Sequence, residues 1–338
     1  MFEARVSGRA ASLAAAVKEA AECLGRARFP LIAGLGSDVA GIREALALAR
    51  RLRGAFDHMA SQSVLCDLAV MQRGGWMCVS PGEVSRNCDL LLVAGPDVSS
   101  VWLDQTFAGR PPPVIVRLGT EQCASNLAVL RALVAGLSAT RFGKRFAKLK
   151  SSADRLWSAK FGVAVWQPGS LDEPSVEMLM GLVRDLNRNT RFSAMPLAGA
   201  SNANGANLVS GWLTGFPVRT SLAGAAPDYD PWSFAAGRLI ASGESDAALW
   251  LSSFDSSVPD WFDRVPCVAL VAKGTRPRQW PCVMIEVGTP GIDHDGIIYN
   301  GLTGALGWFK ATNPTDAPRA DDILSRINAA RVPEDKAA

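Results

Sequence analysis

The residues of this 338-residue chain that could do chemistry are glycines at a strand-to-helix turn, an Asn-rich turn, two histidines and seven thiols. Gly34-Leu35-Gly36 follows the apolar run Phe29-Pro30-Leu31-Ile32-Ala33 and precedes a helical pattern. In a doubly wound sheet, that is where N–H groups at a helix start cradle a phosphate, with no Cβ in the way. A dinucleotide fingerprint needs a third glycine at position 39, but Val39 stands there and the next glycine is Gly41. A turn that merely connects strand to helix is the preferred reading. Asn202, Asn204 and Gly205 follow a second candidate strand, 193–197. They suit a nucleotide-like cofactor at a sheet crevice and suit left-handed turns equally well.

His58 follows Asp57, and His294 lies between Asp293 and Asp295. Either could act as a general base, yet no nucleophile elbow accompanies them. Two histidines fill a metal cage only if carboxylates do most of the work. Both are therefore read as surface or hydrogen-bonded structural side chains, and no catalytic or metal-binding residue is assigned. The thiols at 23, 66, 78, 88, 123, 267 and 282 are odd in number and lack a C-x-x-C pair. Reduced, mostly buried cysteines are expected.

Between Arg141 and Lys160, seven cations face only Asp154. A solvated helix face is the first reading of this run, ahead of a nucleic-acid contact or a polyanion patch. The overall balance of 35 Lys and Arg against 32 Asp and Glu leaves only +3, too little to indicate nucleic acid or a membrane surface. Hydrophobic residues make up 48% and charged ones 20%, which excludes a disordered chain and hints at surface covered by partners. The N-terminus lacks a secretory apolar region, and no apolar run reaches 18 residues. A cytoplasmic protein is expected.

The elements that position these residues alternate strand and helix, which indicates an α/β fold with doubly wound, mostly parallel sheets. Helices are read at 10–26, 39–53 and 173–189, and Leu90-Leu91-Leu92-Val93-Ala94 and Val114-Ile115-Val116 are uninterrupted apolar strands. Such runs belong to sheets covered on both faces. The strand pairs opened by Cys88-Asp89 and Ser245-Asp246 echo each other. The predicted divisions are an N-terminal helix at 1–28, an α/β unit at 29–140 and a basic linker or helix at 141–170. A second α/β unit at 171–305 and a C-terminal segment at 306–338 complete them.

In order and spacing, several segments resemble the B subunit of formylmethanofuran dehydrogenases, relatives of the molybdopterin oxidoreductases. They include residues 30–37, Met71-Gln72, residues 81–84 and 88–97, Trp212 with Gly215-Phe216-Pro217, Glu244–Leu249 and Gly291–Gly296. The resemblance spans most of 28–305 and implies a molybdopterin-oxidoreductase-like fold. Redox members carry a metal-ligating Cys or selenocysteine, then His-Gly, in the loop before the helix of Met71-Gln72. Here that position falls near Ser63, within residues 61–66, no His-Gly follows, and Cys66 lies about a turn away. A hydroxyl is a poor ligand for a soft metal–dithiolene centre. Only Cys23 precedes residue 28, too few for the iron–sulfur motif of redox members.

This combination resembles the B subunit of the bacterial formyltransferase/hydrolase complex. The resemblance implies a scaffold subunit without its own active site, molybdopterin or iron–sulfur cluster. Its partners would be the A, C and D subunits, in a complex that converts formyl-tetrahydromethanopterin to formate through a methanofuran-type carrier during formaldehyde oxidation. Gly34, Gly36, Ser63, Asn202, Asn204 and Gly205 would mark a vestigial cofactor cleft. Lys144, Arg145 and Lys148 would attract the carrier's polyglutamate tail. Neither nucleic acid nor membrane is expected as a partner. The alternative is an active molybdopterin-dependent dehydrogenase subunit in which Cys66 takes over as ligand.

Overall fold

Leu31, Ile32, Ala33 and Leu35 are all fully buried within one strand, so that strand needs cover on both faces. In the computed structural model, which describes residues 2–137 and 143–330 (143–145 by backbone alone), helices supply that cover. The chain opens with the hairpin β1 (Ala4–Val6) and β2 (Arg9–Ala10). Next come α1 (Leu13–Gly25), β3 (Leu31–Gly36), α2 (Val39–Leu52) and β4 (Ala55–Phe56). They are followed by α3 (Ser61–Gly74), α4 (Pro81–Asn87), β5 (Leu90–Ala94), α5 (Ser100–Thr106) and β6 (Val114–Leu118). Then α6 (Cys123–Val134), α7 (Gly143–Ser158), β7 (Phe161–Trp166), α8 (Glu173–Leu186) and β8 (Arg191–Pro196) follow.

The remainder runs through α9 (Ala203–Thr214), β9 (Thr220–Ser221), β10 (Asp228–Tyr229), α10 (Ala236–Ala241) and β11 (Ala248–Ser252). Two further strands, β12 (Cys267–Ala272) and β13 (Val283–Val287), precede the two-stranded β14 (Gly296–Asn300) and β15 (Ala305–Phe309). Helix α11 (Ala320–Ala329) closes the described chain.

Two compact units emerge, and they interleave along the sequence. Unit 1 draws on Met1–Ser61, Ala200–Tyr299 and Leu306–Ala338, and unit 2 on Gln62–Gly199 with Asn300–Ala305. The consecutive divisions at 29–140, 141–170 and 171–305 give way to this arrangement. The reason is strand pairing: β3 lies parallel to both β4 and β11, although β11 comes some 200 residues later.

Unit 1 holds a nine-stranded sheet in the order β10-β9-β4-β3-β11-β12-β13-β1-β2, parallel from β4 to β13 with antiparallel edges. Alternation of side chains assigns Ile32, Leu249 and Leu251 to one core, beneath α1, α2, α9 and α11, and Leu35 joins them because Gly34 and Leu35, at φ +84° and +53°, break the alternation of β3. Leu31, Ala33, Ala248 and Trp250 point to the other face and pack with Leu239, Trp261 and Phe262. Unit 2 holds a fully parallel sheet in the order β6-β5-β7-β8. Ala164 and Trp166 of β7 face the core of α6 and α8, while Val163 and Val165 face the opposite core. Helical cover on both sides of each sheet confirms the doubly wound, mostly parallel α/β fold.

Local chemistry sets the helix starts. Asp38 caps α2 by accepting the Gly41 N–H at 3.0 Å, Asp172 caps α8, and Ser80 with Glu83 forms a capping box on α4. Two expectations change. Residues 1–28 begin with a hairpin, because Ala4 finds its pairing partner at Ile285. The stretch 141–170, expected as a basic linker or helix, contains the helix α7 and, beyond that expectation, the fully buried strand β7, which lies between β5 and β8.

Candidate functional site

In unit 1 the glycine turn lies at the carboxyl end of β3. Gly34 has φ +84°, and a Cβ there would stand 2.4 Å from the Leu251 carbonyl oxygen. Its glycine is explained by the close approach of β11, where the register shifts in a bulge. A methyl group on Gly36 would stand 2.8 Å from Met59 Cε. At the start of α2, the anion-binding position is held by the protein's own Asp38 carboxylate. Burial raises the Asp38 carboxyl above its usual range, partly offset by its bond from Gly41.

Asn202 crosses this turn. Its Nδ2 donates to the Ser37 carbonyl at 2.8 Å, and its Oδ1 accepts the Tyr299 N–H at 2.9 Å. It holds φ +62°, a conformation that asparagine tolerates better than most residues. Gly205 lies under the Asn202 amide, and a Cβ there would come within 2.3 Å of Oδ1. Asn204 is half-buried in the first turn of α9. Ser201 Oγ donates to Asp255 Oδ2 at 2.8 Å. The structure thus brings Gly34, Gly36, Asn202 and Gly205 together, as a latch between the ends of β3, α9 and β14. An incoming phosphate would meet Asp38, Met59 and Asn202 there.

Each histidine has a hydrogen-bonded ring nitrogen. His58 Nδ1 accepts the Ala60 N–H at 2.9 Å, leaving Nε2–H to donate to the Ser201 carbonyl at 3.0 Å. Burial lowers its pKa to about 4, so the ring is neutral at physiological pH. His294 Nδ1 lies 2.8 Å from the Asp295 carbonyl, while its buried Nε2 has no partner among the described residues. Sequence reasoning missed Arg219, whose Nε lies 3.5 Å from Asp57 Oδ1 and donates to Ser61 Oγ at 3.1 Å. Burial raises the Asp57 carboxyl, and Arg219 opposes that rise. No spacing rule links positions 57 and 219, because tertiary packing alone joins them. A cavity of about 720 Å³ also lies in unit 1, bordered by Phe2, Glu3, Lys273 and Glu286. It contains none of the candidate residues.

Ser63 belongs to unit 2, so the candidates are divided between the units. It lies in the first turn of α3 rather than in a preceding loop, and a methyl group on Gly169 would stand 2.7 Å from its Cβ. Cys66, one turn on, packs against the apolar core, and burial with nearby Asp67 pushes its thiol up to about 11. Asp67 accepts a 3.0 Å hydrogen bond from Trp166 Nε1. Lys148 is exposed on α7, whereas the side chains of Lys144 and Arg145 lie outside the described residues. Among the described residues, no cluster of His, Cys, Asp or Glu is suited to a metal ion. No described helix is long and apolar enough to cross a membrane.

No family model matches the chain. The B subunit of the formyltransferase/hydrolase complex Fhc of Methylorubrum extorquens is 32% identical over 347 residues, covering 95% of this chain and 96% of that protein. The B subunit of tungsten-containing formylmethanofuran dehydrogenase 2 of Methanocaldococcus jannaschii is 27% identical over 165 residues, covering 47% of this chain and 38% of that one. A chain in the X-ray crystal structure of the M. extorquens formyltransferase/hydrolase complex (FhcABCD) with methylofuran superposes with a TM-score of 0.82. It is 32% identical, with 96% of this chain and 97% of that one covered. Identity at this level over nearly both full lengths places the chain in the family of formyltransferase/hydrolase complex B subunits.

Proposed function

We propose that the chain is a non-catalytic scaffold subunit of a formyltransferase/hydrolase complex, with the A, C and D subunits as its partners. The complex would convert formyl-tetrahydromethanopterin to formate through a methanofuran-type carrier in cytoplasmic formaldehyde oxidation. The observation that carries this reading is the full-length likeness to a chain of the FhcABCD structure. The side chains add support: Asn202 and His58 are committed to structural hydrogen bonds and Ser63 to a close packing contact, and among the described residues these groups form no acid–base or nucleophile constellation.

The reading includes a chain that holds neither molybdopterin nor an iron–sulfur cluster. The Asp38 carboxyl already takes up the Gly41 N–H at the helix start where a cofactor phosphate would bind, and Ser63 offers a hydroxyl where redox relatives offer a thiolate. Cys66 as a substitute ligand is disfavoured by its apolar packing and its strongly protonated thiol. The reading also extends to a carrier polyglutamate tail attracted by Lys144, Arg145 and Lys148, three cations of a run with a single acid.

Purification of the native chain with its partners tests the proposal. Mass spectrometry is expected to find the A, C and D subunits, and metal analysis no molybdenum or tungsten in stoichiometric amount. Either metal at one atom per chain, or a chain purified without those partners, would overturn it.

A further inference from the structure

Strand β6 is one of the two outer strands of the unit 2 sheet and pairs only with β5 among the described strands. The Val114 N–H donates to the Asp89 carbonyl, and the Leu118 carbonyl accepts the Gly95 N–H, both at 2.9 Å. Positions 114, 116 and 118 therefore turn their backbone groups toward β5, and Ile115 and Arg117 turn theirs outward. Among the described residues, no hydrogen bond takes up those outward N–H and C=O groups.

Natural sheets blunt such an edge with charge, proline, a bulge, or a helix or loop laid directly over it. Here the prolines at 111–113 stop before the strand, and the pairing with β5 runs unbroken from Val114 to Leu118. The one charged side chain of the strand, Arg117, is folded onto Asp97, with Nε 2.9 and 2.8 Å from its two oxygens. Val114 stays 53% exposed. The edge faces α7 across two adjoining hollows of about 390 and 240 Å³. Lys148 and Ser152 border both, and Ser151 and Arg155 border the larger. Neither Lys148 nor Arg155 forms an ion pair among the described residues.

We propose that this edge docks an extended, acidic segment of a second polypeptide, added to the sheet beside β6. Its backbone would meet Ile115 and Arg117, and its carboxylates would face Lys148 and Arg155. Strand addition takes affinity from main-chain bonds and selectivity from side chains that meet the neighbouring surface. The inference rests on the chain working in an assembly, and not on the carrier-tail reading.

Hydrogen exchange of the full chain, alone and in its co-purified native assembly, tests this. The Ile115 and Arg117 amides are expected to exchange about tenfold slower or more in the assembly. The double variant K148E/R155E, on two exposed positions of α7, is expected to restore fast exchange with unchanged circular dichroism. A photoreactive side chain at position 114 is expected to capture a carboxylate-rich segment of another chain. Equal exchange rates within an intact assembly would overturn the inference while leaving the scaffold reading in place. Protection that survives charge reversal would overturn it as well. Failure to recover any assembly removes the scaffold reading first.

Discussion

Trp166 Nε1 donates to Asp67 Oδ1 at 3.0 Å inside unit 2, where Trp166 is fully buried and Asp67 6% exposed. Burial is the larger influence on this acid and raises its pKa from 3.8 to about 7, against the opposing bond from Trp166. The folded chain therefore retains a proton that the unfolded chain releases. The associated stability is present below pH 4 and is lost as pH rises toward 7.

Replacing Asp67 with Asn should flatten that pH dependence, because an amide oxygen still accepts the indole N–H. At about 1.4 kcal/mol per unit, the wild type should lose up to about 4 kcal/mol more than the variant between pH 4 and pH 7.5. Denaturant unfolding at several pH values measures the difference. Parallel curves for the two proteins would refute this assignment.

The Asp57–Arg219 pair in unit 1 is nearly dry, with side chains 5% and 12% exposed. Arg219→Ala would leave a buried carboxylate with the Ala236 N–H as a remaining donor, at 2.9 Å. A loss of about 3–5 kcal/mol is expected from the unpaired charge. Asp57→Asn combined with Arg219→Ala should recover part of that loss. Chemical denaturation of the single and double variants gives the coupling.

Asn202→Gly keeps access to φ +62° while removing the amide that joins Ser37 to Tyr299. Two backbone groups lose their partners, and about 1–3 kcal/mol of stability should go with them. The variant should also show faster amide exchange at Tyr299. If exchange there is unaltered, the latch is not what holds β14.

Gly162 of β7 lies opposite Phe192 of β8, and a Cβ there would fall 2.1 Å from the ring. Gly162→Ala should therefore cost about 1–3 kcal/mol by overpacking, and Gly162→Ala with Phe192→Leu should cost less than the sum of the single changes. Thermal unfolding of the three variants decides it.

Charge reversal of Lys144, Arg145 and Lys148 to Glu should weaken binding of the polyglutamate carrier in a salt-dependent way. Calorimetry of the native complex at low and high salt measures it. Unchanged binding at low salt would discard the tail reading.

Much of this protein can be read from local sequence. Uninterrupted apolar runs such as Leu90–Ala94 announce two-sided burial, and Asp38 and Asp172 mark helix starts, because caps and periodicity act over a few residues. Ordered motifs indicate the family. Tertiary structure decided the rest. It paired Ala4 with Ile285 and β3 with β11, interleaving two units that a linear reading divides consecutively. It turned Asn202 into a latch and joined Asp57 to Arg219. Such pairings depend on which faces are buried against each other, a condition satisfied across a hundred or more residues and written in no single stretch of them.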